Sequence, residues 1–351
     1  TDPEGVIMKL AEATSTFIPR IEDELRSLLE VRTPSAARHY EIMQYHMGWR
    51  DPELKPSQAS SGKRIRPLLC VLACMDAGGD PSQALPAAAG IELLHNFSLV
   101  HDDIEDNSST RRHRPTAWSL WGVPIACNVG DGMFSLAHLA FFRLLDRGVS
   151  QRAVLSAVKS FVEMNLALTE GQYQDMSFEE RLQVSVEDYY AMISGKTGAL
   201  LAAATEIGAI IAGATGDSLR NYREYGAALG RAFQLQDDIL GIWGDEQETG
   251  KSTANDILSK KKTLPVVIAL NHPDVGRRMR TLYAGPRFEP DDVPAVLSLL
   301  DLAGARQATE QAVKEATARG HAALQRLDEV GASSAHELLI ELLDTLVSRR
   351  S

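Results

Sequence analysis

Apolar residues return at three- and four-residue intervals along almost the whole chain, as at Ile91, Leu94 and Phe97 or at Leu200, Ala203, Ile207 and Ile210. That spacing follows the 3.6-residue turn of a helix and not the two-residue alternation of a strand. Strand-like alternation is scarce, and the apolar run Val266 to Leu270 sits behind Pro265, which suits the first turn of a buried helix. The chain therefore reads as all-α. Breakers cluster at Asp51 to Ser61, Gly78 to Pro86, Arg114 to Pro124, Asp245 to Asn255 and Ala284 to Pro294, and these are the expected loops. Segments that are apolar on more than one face imply a layered multi-helix bundle with ligand sites between its helices.

With 351 residues, 44% hydrophobic and 24% charged, the chain can bury a large core. It has no long Ser/Gly/Pro-rich linker, internal repeat or low-complexity tract, so residues 1–351 read as one domain. A net charge of −11 argues against general affinity for nucleic acid or an anionic membrane, so any phosphate site must be basic locally. Cys70, Cys74 and Cys127 lack zinc or CxxC spacing and read as reduced core residues. Thr1 to Phe17 lacks the basic-then-apolar pattern of a signal peptide. The Ala-rich run near Leu200 is broken by Glu206, so no membrane span and a cytoplasmic location are expected.

Two acidic clusters stand out, His101-Asp102-Asp103-Ile104-Glu105-Asp106 and, about 135 residues later, Asp237-Asp238. On a helix Asp102 and Asp106 share a face one turn apart, so their carboxylates can converge on a hard cation. Magnesium takes one or two carboxylates and completes its shell with water and substrate phosphates, so the pattern implies a phosphorylated ligand.

Cations complete the set. Gly62-Lys63-Arg64-Ile65-Arg66-Pro67 opens a helix after a loop, where backbone N–H groups already favour an anion. Arg111-Arg112 follows the first acidic cluster, Lys196-Thr197 lies between Gly195 and Gly198, and Lys251 with Lys260-Lys261-Lys262 follows Asp238. Crowded carboxylates repel one another in a partly dry cleft unless cations bridge them, and a metal-diphosphate complex supplies that bridge.

In the order GKRIRP, ELLHNFSLVHDDIED, TRRHRPT, GQYQD, SGKTG, FQLQDDILGIWGD, TGK and KKTLP, the motifs resemble those of the trans-isoprenyl diphosphate (polyprenyl) synthases, with the motif-bearing core at about residues 60–270. The resemblance implies an isoprenoid-synthase helical bundle with a central cavity. It implies head-to-tail condensation of isopentenyl diphosphate with an allylic diphosphate (dimethylallyl, geranyl or farnesyl), with release of diphosphate. By resemblance Asp102 and Asp106 bind two of three magnesium ions and Asp237 the third, while Asp103 and Asp238 support water ligands and neighbouring cations. Arg111, Lys196 and Lys251 would hold the allylic diphosphate, and Lys63, Arg66, His95 and Arg112 the isopentenyl diphosphate, with Lys261 closing from the late loop. The Lys196 carbonyl, Thr197 and Gln234 would face the developing carbocation. Gln172 and Asp175 match a family position near the metals, or simply satisfy one another. A homodimer is implied, with Asn128 to Phe142 as candidate interface.

One departure is visible: the second motif often reads DDxxD, and here Gly241 takes the last place. Chain length is read from the residues before Asp102. Phe97, roughly 7 to 8 Å below it at about 1.5 Å per residue, is a floor, and Ser98 is small, which favours geranylgeranyl over farnesyl diphosphate. Met133 or Phe134 could shorten the pocket. Ordinary packing explains His101, Trp118, Trp121 and Trp243. A terpene cyclase would not need Lys63, Arg66 and His95, and a non-catalytic partner subunit would have less reason to keep both acidic pairs.

Overall fold

Runs of helical periodicity become helices wherever the expected breakers allow. The computed structural model describes residues 9–59, 62–244, 255–285, 288–328 and 335–348. In chain order the helices are α1 (Leu10–Leu28), α2 (Ala37–His46), α3 (Ile65–Asp76), α4 (Pro81–Glu105), α5 (Ala117–Trp121), α6 (Val123–Asp146), α7 (Gln151–Glu180) and α8 (Val186–Ile193). They continue with α9 (Ala199–Ile211), α10 (Gly216–Trp243), α11 (Asn255–Leu258), α12 (Leu264–Asn271), α13 (Gly276–Ala284), α14 (Val293–Leu302), α15 (Ala305–Asp328) and α16 (His336–Val347). A π-turn, Ser194–Gly198, joins α8 to α9. The described strands are β1 (Thr110–Arg111) and β2 (Arg114–Pro115), an antiparallel pair. The fold is all-α, as the periodicity requires.

Two boundaries differ from the reading of breakers. Asp80 caps α4 by accepting the Ser82 N–H at 2.8 Å, and Pro81 occupies the first turn, where a missing N–H costs nothing. The expected loop therefore stops at Asp80, and Pro86 lies inside the helix. Within the expected loop Arg114 to Pro124, α5 forms and Pro124 enters the first turn of α6. Around Pro265 the expectation of a helix holds, with that residue in the first turn of α12.

The chain groups into two compact units. The first comprises Thr1–Val162, Ala204–Leu219 and Ser333–Leu338. In it α4 packs along α3 and α6, and Leu69, Ile91, Leu93, Val129, Met133 and Phe141 are fully covered. Each large apolar side chain so covered contributes about 1.5–3 kcal/mol. Cys70 and Cys74 are buried in this core as free thiols, and burial, with Asp80 adding to it, pushes Cys74 up to about 12, so it is inert. The second unit comprises Glu163–Ala203, Arg220–Ala332 and Leu339–Ser351. One of its clusters joins Tyr189, Met192, Leu235, Ile239, Leu264 and Val267, and another joins Ile242, Val266, Leu270, Met279 and Leu299.

Helix α6 is, among the described residues, the one helix long and apolar enough to cross a membrane by length and composition. Ala126, Val129, Met133 and Ala137 are buried, whereas Ile125, Leu139, Phe142 and Leu145 make an exposed apolar face.

Candidate active site

The last turn of α4 carries Asp102 and Asp103, and the chain then reverses through the β1–β2 hairpin. Its two central residues, Arg112 and His113, both have positive φ, 51° and 60°. That is the sign pattern of a type I′ turn, normally given to Asn-Gly, so two bulky residues are held there at a cost of about 1–3 kcal/mol each. The turn brings Arg111 back onto α4. Its Nη2 donates to Asp102 Oδ2 at 2.9 Å and its Nε to Asp103 Oδ1 at 2.7 Å. Asp103 is 2% exposed, and burial raises its pKa to about 6 against the opposing pull of Arg111. Asp102 is half-buried, and Asp106 is exposed at the C-cap of α4.

The GKRIRP segment divides its cations between two tasks. Arg64, in left-handed conformation with φ 50° at the start of α3, is 4% exposed. It donates to Glu92 at 2.5 Å and Glu22 at 2.7 Å, and Glu92 also accepts from Asn96 at 2.9 Å. Arg64 is therefore fixed structurally, while Lys63 is exposed and Arg66 half-buried. Arg66 Nε is buried with no hydrogen-bond partner among the described residues. Burial, opposed by Glu92 and reinforced by Arg112, lowers the Arg66 pKa. A Cβ on Gly62 would lie 2.7 Å from Arg112 Nη2, so Arg112 rests directly on the glycine backbone. His95 is held well below its usual pKa by burial and by Arg66, Arg112, Arg111 and Arg64, which leaves it neutral near pH 7. The structure thus gathers Arg66, His95 and Arg112 into one basic group. His46 belongs beside them and was missed: burial and the charges of Arg111, Arg112, Arg64 and Arg114 depress it to about 3.

Below Asp102, Phe97 packs against His101 at 4.8 Å and Phe134 at 5.1 Å between ring centres. The series continues from Phe134 to His138 at 4.4 Å and on to Phe161 at 5.1 Å. Ser98 donates to the His95 carbonyl at 2.8 Å and adds no bulk. His101 Nε2 lies 3.3 Å from the Cys127 carbonyl, a packing role as read.

In the second unit α10 carries Asp237, half-buried, and Asp238, 2% exposed. Three donors hold Asp238: the Tyr189 hydroxyl at 2.5 Å, the Leu264 N–H at 2.8 Å and Gln234 Nε2 at 3.0 Å. Burial raises Asp238 to about 6, with Lys261 and these hydrogen bonds opposing. Gln234 in turn accepts from the Thr197 hydroxyl at 2.7 Å, and Lys196 pairs with Asp175. Lys196, Thr197 and Gln234 are thus brought together, and Asp175 is the counter-ion of Lys196. The π-turn under them is a local departure of the kind often found at functional sites. Burial disfavours the Lys261 ammonium, but Asp256, Asp238, Asp175 and Asp237 more than offset this and hold its pKa above the usual lysine value. Lys251 lies outside the described residues.

The departure at Gly241 has a physical counterpart. A Cβ there would collide with the carboxyl group of Asp256, which is 9% exposed. An acid from α11 occupies the space over the position where the motif lacks one. No spacing rule points to Asp256 or to Tyr189. Glu92 could have been found, as a lone charge among Ile91, Leu93 and Leu94.

Among the described residues no three His, Cys, Asp or Glu side chains form a closed metal site. Asp102 and Asp106 on one face of α4 and half-buried Asp237 on α10 are nevertheless oxygen donors open to solvent. The carboxylates of either unit, taken by themselves, fit magnesium, which keeps water and takes phosphate oxygens in place of a full protein cage.

The polyprenyl synthetase family model matches residues 54–300. The chain is 42% identical over 271 residues to the (2E,6E)-farnesyl diphosphate synthase of Mycobacterium tuberculosis, covering 76% of this chain and 74% of that protein. Its structure is similar to the polyprenyl synthetase of Streptomyces coelicolor A3(2), with TM-score 0.86, 34% identity and coverage of 95% and 99% of the two chains. It is also similar to the geranylgeranyl pyrophosphate synthase of Corynebacterium glutamicum complexed with isoprenyl diphosphate and magnesium, with TM-score 0.79, 26% identity and coverage of 97% and 99%. By these matches the chain belongs to the polyprenyl synthetase family and is a trans-prenyltransferase.

Proposed function

We propose that the protein condenses isopentenyl diphosphate head-to-tail with an allylic diphosphate and delivers geranylgeranyl diphosphate. The observation that carries the two-diphosphate reading is the buried, unpartnered Arg66 Nε beside Arg112 and neutral His95. A cyclase acting on one diphosphate has no use for that second anion site. Lys63, Arg66, His95 and Arg112 bind isopentenyl diphosphate, the guanidiniums by charged hydrogen bonds and His95 as a neutral donor.

Asp102, Asp106 and Asp237 would hold three magnesium ions, with Asp103 and Asp238 setting their orientation. Bound magnesium would neutralise the charge on the departing diphosphate. Arg111, Lys196 and Lys251 bind the allylic diphosphate and take up the same charge as its C–O bond breaks. The Lys196 carbonyl, Thr197 oxygen and Gln234 carbonyl then present partial negative charge to the allylic cation. The isopentenyl double bond forms the new C–C bond, and the released diphosphate accepts the proton lost. Lys261, now among carboxylates, would turn to isopentenyl diphosphate once cations screen those acids.

Ser98 beside Phe97 supports the longer product. A second reading, farnesyl diphosphate, is favoured by the 42% identity to a farnesyl diphosphate synthase and by Phe134 backing Phe97. Incubation with magnesium, isopentenyl diphosphate and each allylic primer, followed by mass analysis of the dephosphorylated products, tests both. A C20 alcohol supports the proposal, a C15 end point the second reading, and a cyclic hydrocarbon or no product overturns both. Phe97→Ala is expected to lengthen the product by about one unit, given the space a lost phenyl ring opens; an unchanged length places the floor elsewhere.

The exposed apolar face of α6 supports a homodimer through Asn128 to Phe142. A cytoplasmic location and a single synthase domain over 1–351 complete the proposal, the latter supported by the continuous match over 54–300.

A further inference from the structure

The second unit contains a cavity of 540 Å³ that prenyl transfer does not use. Its size is that of a small-molecule site, for which about 300–1,000 Å³ is usual. The cavity lies behind the π-turn. Met192, Ile193, Lys196 and Thr197 line the cleft that contains Asp238, whereas Ala191, Ser194, Gly195 and Gly198, on the opposite face of the same segment, line the cavity.

Its chemistry is two-sided. Ala167, Ala199, Ala202, Ala228 and Ala316 supply a smooth apolar surface, with side chains too short to fill the space themselves. Arg223, Arg231 and Arg319 supply guanidiniums, against Glu170 and Glu224. Glu224 already accepts from Arg326 at 2.6 Å. Arg231 lies over the Tyr190 ring at 4.9 Å, and neither it nor Arg319 has a carboxylate in ion-pair contact among the described residues. Arg231 and Arg319 thus keep their charge beside the apolar wall without an ion-pair partner among the described residues. Guanidiniums without an ion pair next to an apolar floor select a ligand with an apolar body and an anionic head.

We propose that this cavity is a second ligand site, specific for an amphipathic anion whose chain lies on the alanines and whose carboxylate or phosphate sits between Arg231 and Arg319. The wall it presses on has no slack. A Cβ on Gly195 would lie 2.5 Å from the Ala167 carbonyl and 3.1 Å from Gly171 Cα, so α7 and the π-turn touch backbone to backbone. A ligand that moves this wall moves Lys196 and lowers turnover. This consequence rests on the prenyl-transfer reading; the site itself does not.

Dodecanoate is the probe, titrated calorimetrically into the full chain in EDTA so that metal-dependent binding at the aspartates is silent. One equivalent is expected to bind. Arg231→Gln, which keeps the cavity open, and Ala228→Phe, which fills it, are each expected to weaken binding by about tenfold or more. Dodecanol should bind at least about tenfold more weakly than dodecanoate, whereas Lys196→Ala should bind dodecanoate as the parent does. Absence of saturable binding, equal affinity in Arg231→Gln, or loss of binding in Lys196→Ala would overturn the site. In the magnesium-dependent assay, saturating dodecanoate should lower kcat of the parent and not of Arg231→Gln. An unchanged kcat would overturn the coupling, and dodecanoate binding by a protein without prenyl transfer would sink the functional reading while leaving the site.

Discussion

The two aspartate pairs are chemically alike and are held in unlike ways. In both, the second residue is 2% exposed and burial lifts its pKa to about 6, while the first stays half-buried. Asp103 is tied to a full charge, Arg111, which a strained hairpin delivers and which also grips Asp102. Asp238 is tied to three neutral donors, Tyr189, Gln234 and the Leu264 N–H, and leaves Asp237 to its surroundings. One pair is thus steadied by a charge in direct hydrogen-bond contact, and the other by packed, uncharged donors with the Lys261 charge acting from outside that contact.

The largest test asks whether the pairs are equivalent in function. Asp102→Ala and Asp237→Ala should each lower kcat by about 10³-fold or more, as loss of electrostatic stabilisation at a reacting centre does, with unchanged far-ultraviolet circular dichroism. Activity surviving in one variant would remove that pair from the chemistry. The next test separates the anchors. Arg111→Gln leaves Asp103 buried without a counter-ion and should cost about 3 kcal/mol in denaturant unfolding, together with most of the activity. Tyr189→Phe removes one donor of three and should cost about 1–2 kcal/mol, with a smaller loss of rate. Equal effects of the two would erase the distinction between the anchors.

Gly241→Ala sharpens the second side of the comparison. Its methyl group would meet the Asp256 carboxyl, so about 1–3 kcal/mol of stability should be lost; unchanged stability would show that Asp256 does not occupy that space. The effect confined to acid pH concerns His46 in the first unit. Its pKa falls from 6.5 to about 3 on folding, so between those values the unfolded chain binds a proton that the folded chain does not. Its contribution is present above 6.5 and is lost as pH falls toward 3. His46→Asn should therefore flatten the acid side of a plot of Tm against pH, and a parallel curve would remove His46 from the basic group.

Much of this was legible in the chain. Helical periodicity is a local property, so α4 and α10 could be read from their apolar spacing, and motif order was enough to propose Asp102, Asp237, Lys196 and Arg66 as site residues. The hairpin at Arg112-His113 was not legible, because Arg is not a usual choice for positive φ and two such residues in succession normally call for Asn-Gly; tertiary contacts hold it against local preference. Pro86 misled for the same reason, a breaker by local rule that the packing of α4 tolerates.

What the sequence by itself determined is the all-helical class, the family and the residues that carry charge, since these depend on spacing and side-chain type. Only the tertiary structure decided which charges are already spent. Arg64 is consumed by Glu92 and Glu22, Asp238 by its three donors, and Asp256 takes the space over Gly241, while Arg66 keeps an unpartnered Nε. The physical reason is burial: desolvation forces each covered charge to find a partner, and those partners lie far along the chain, where no short motif can announce them.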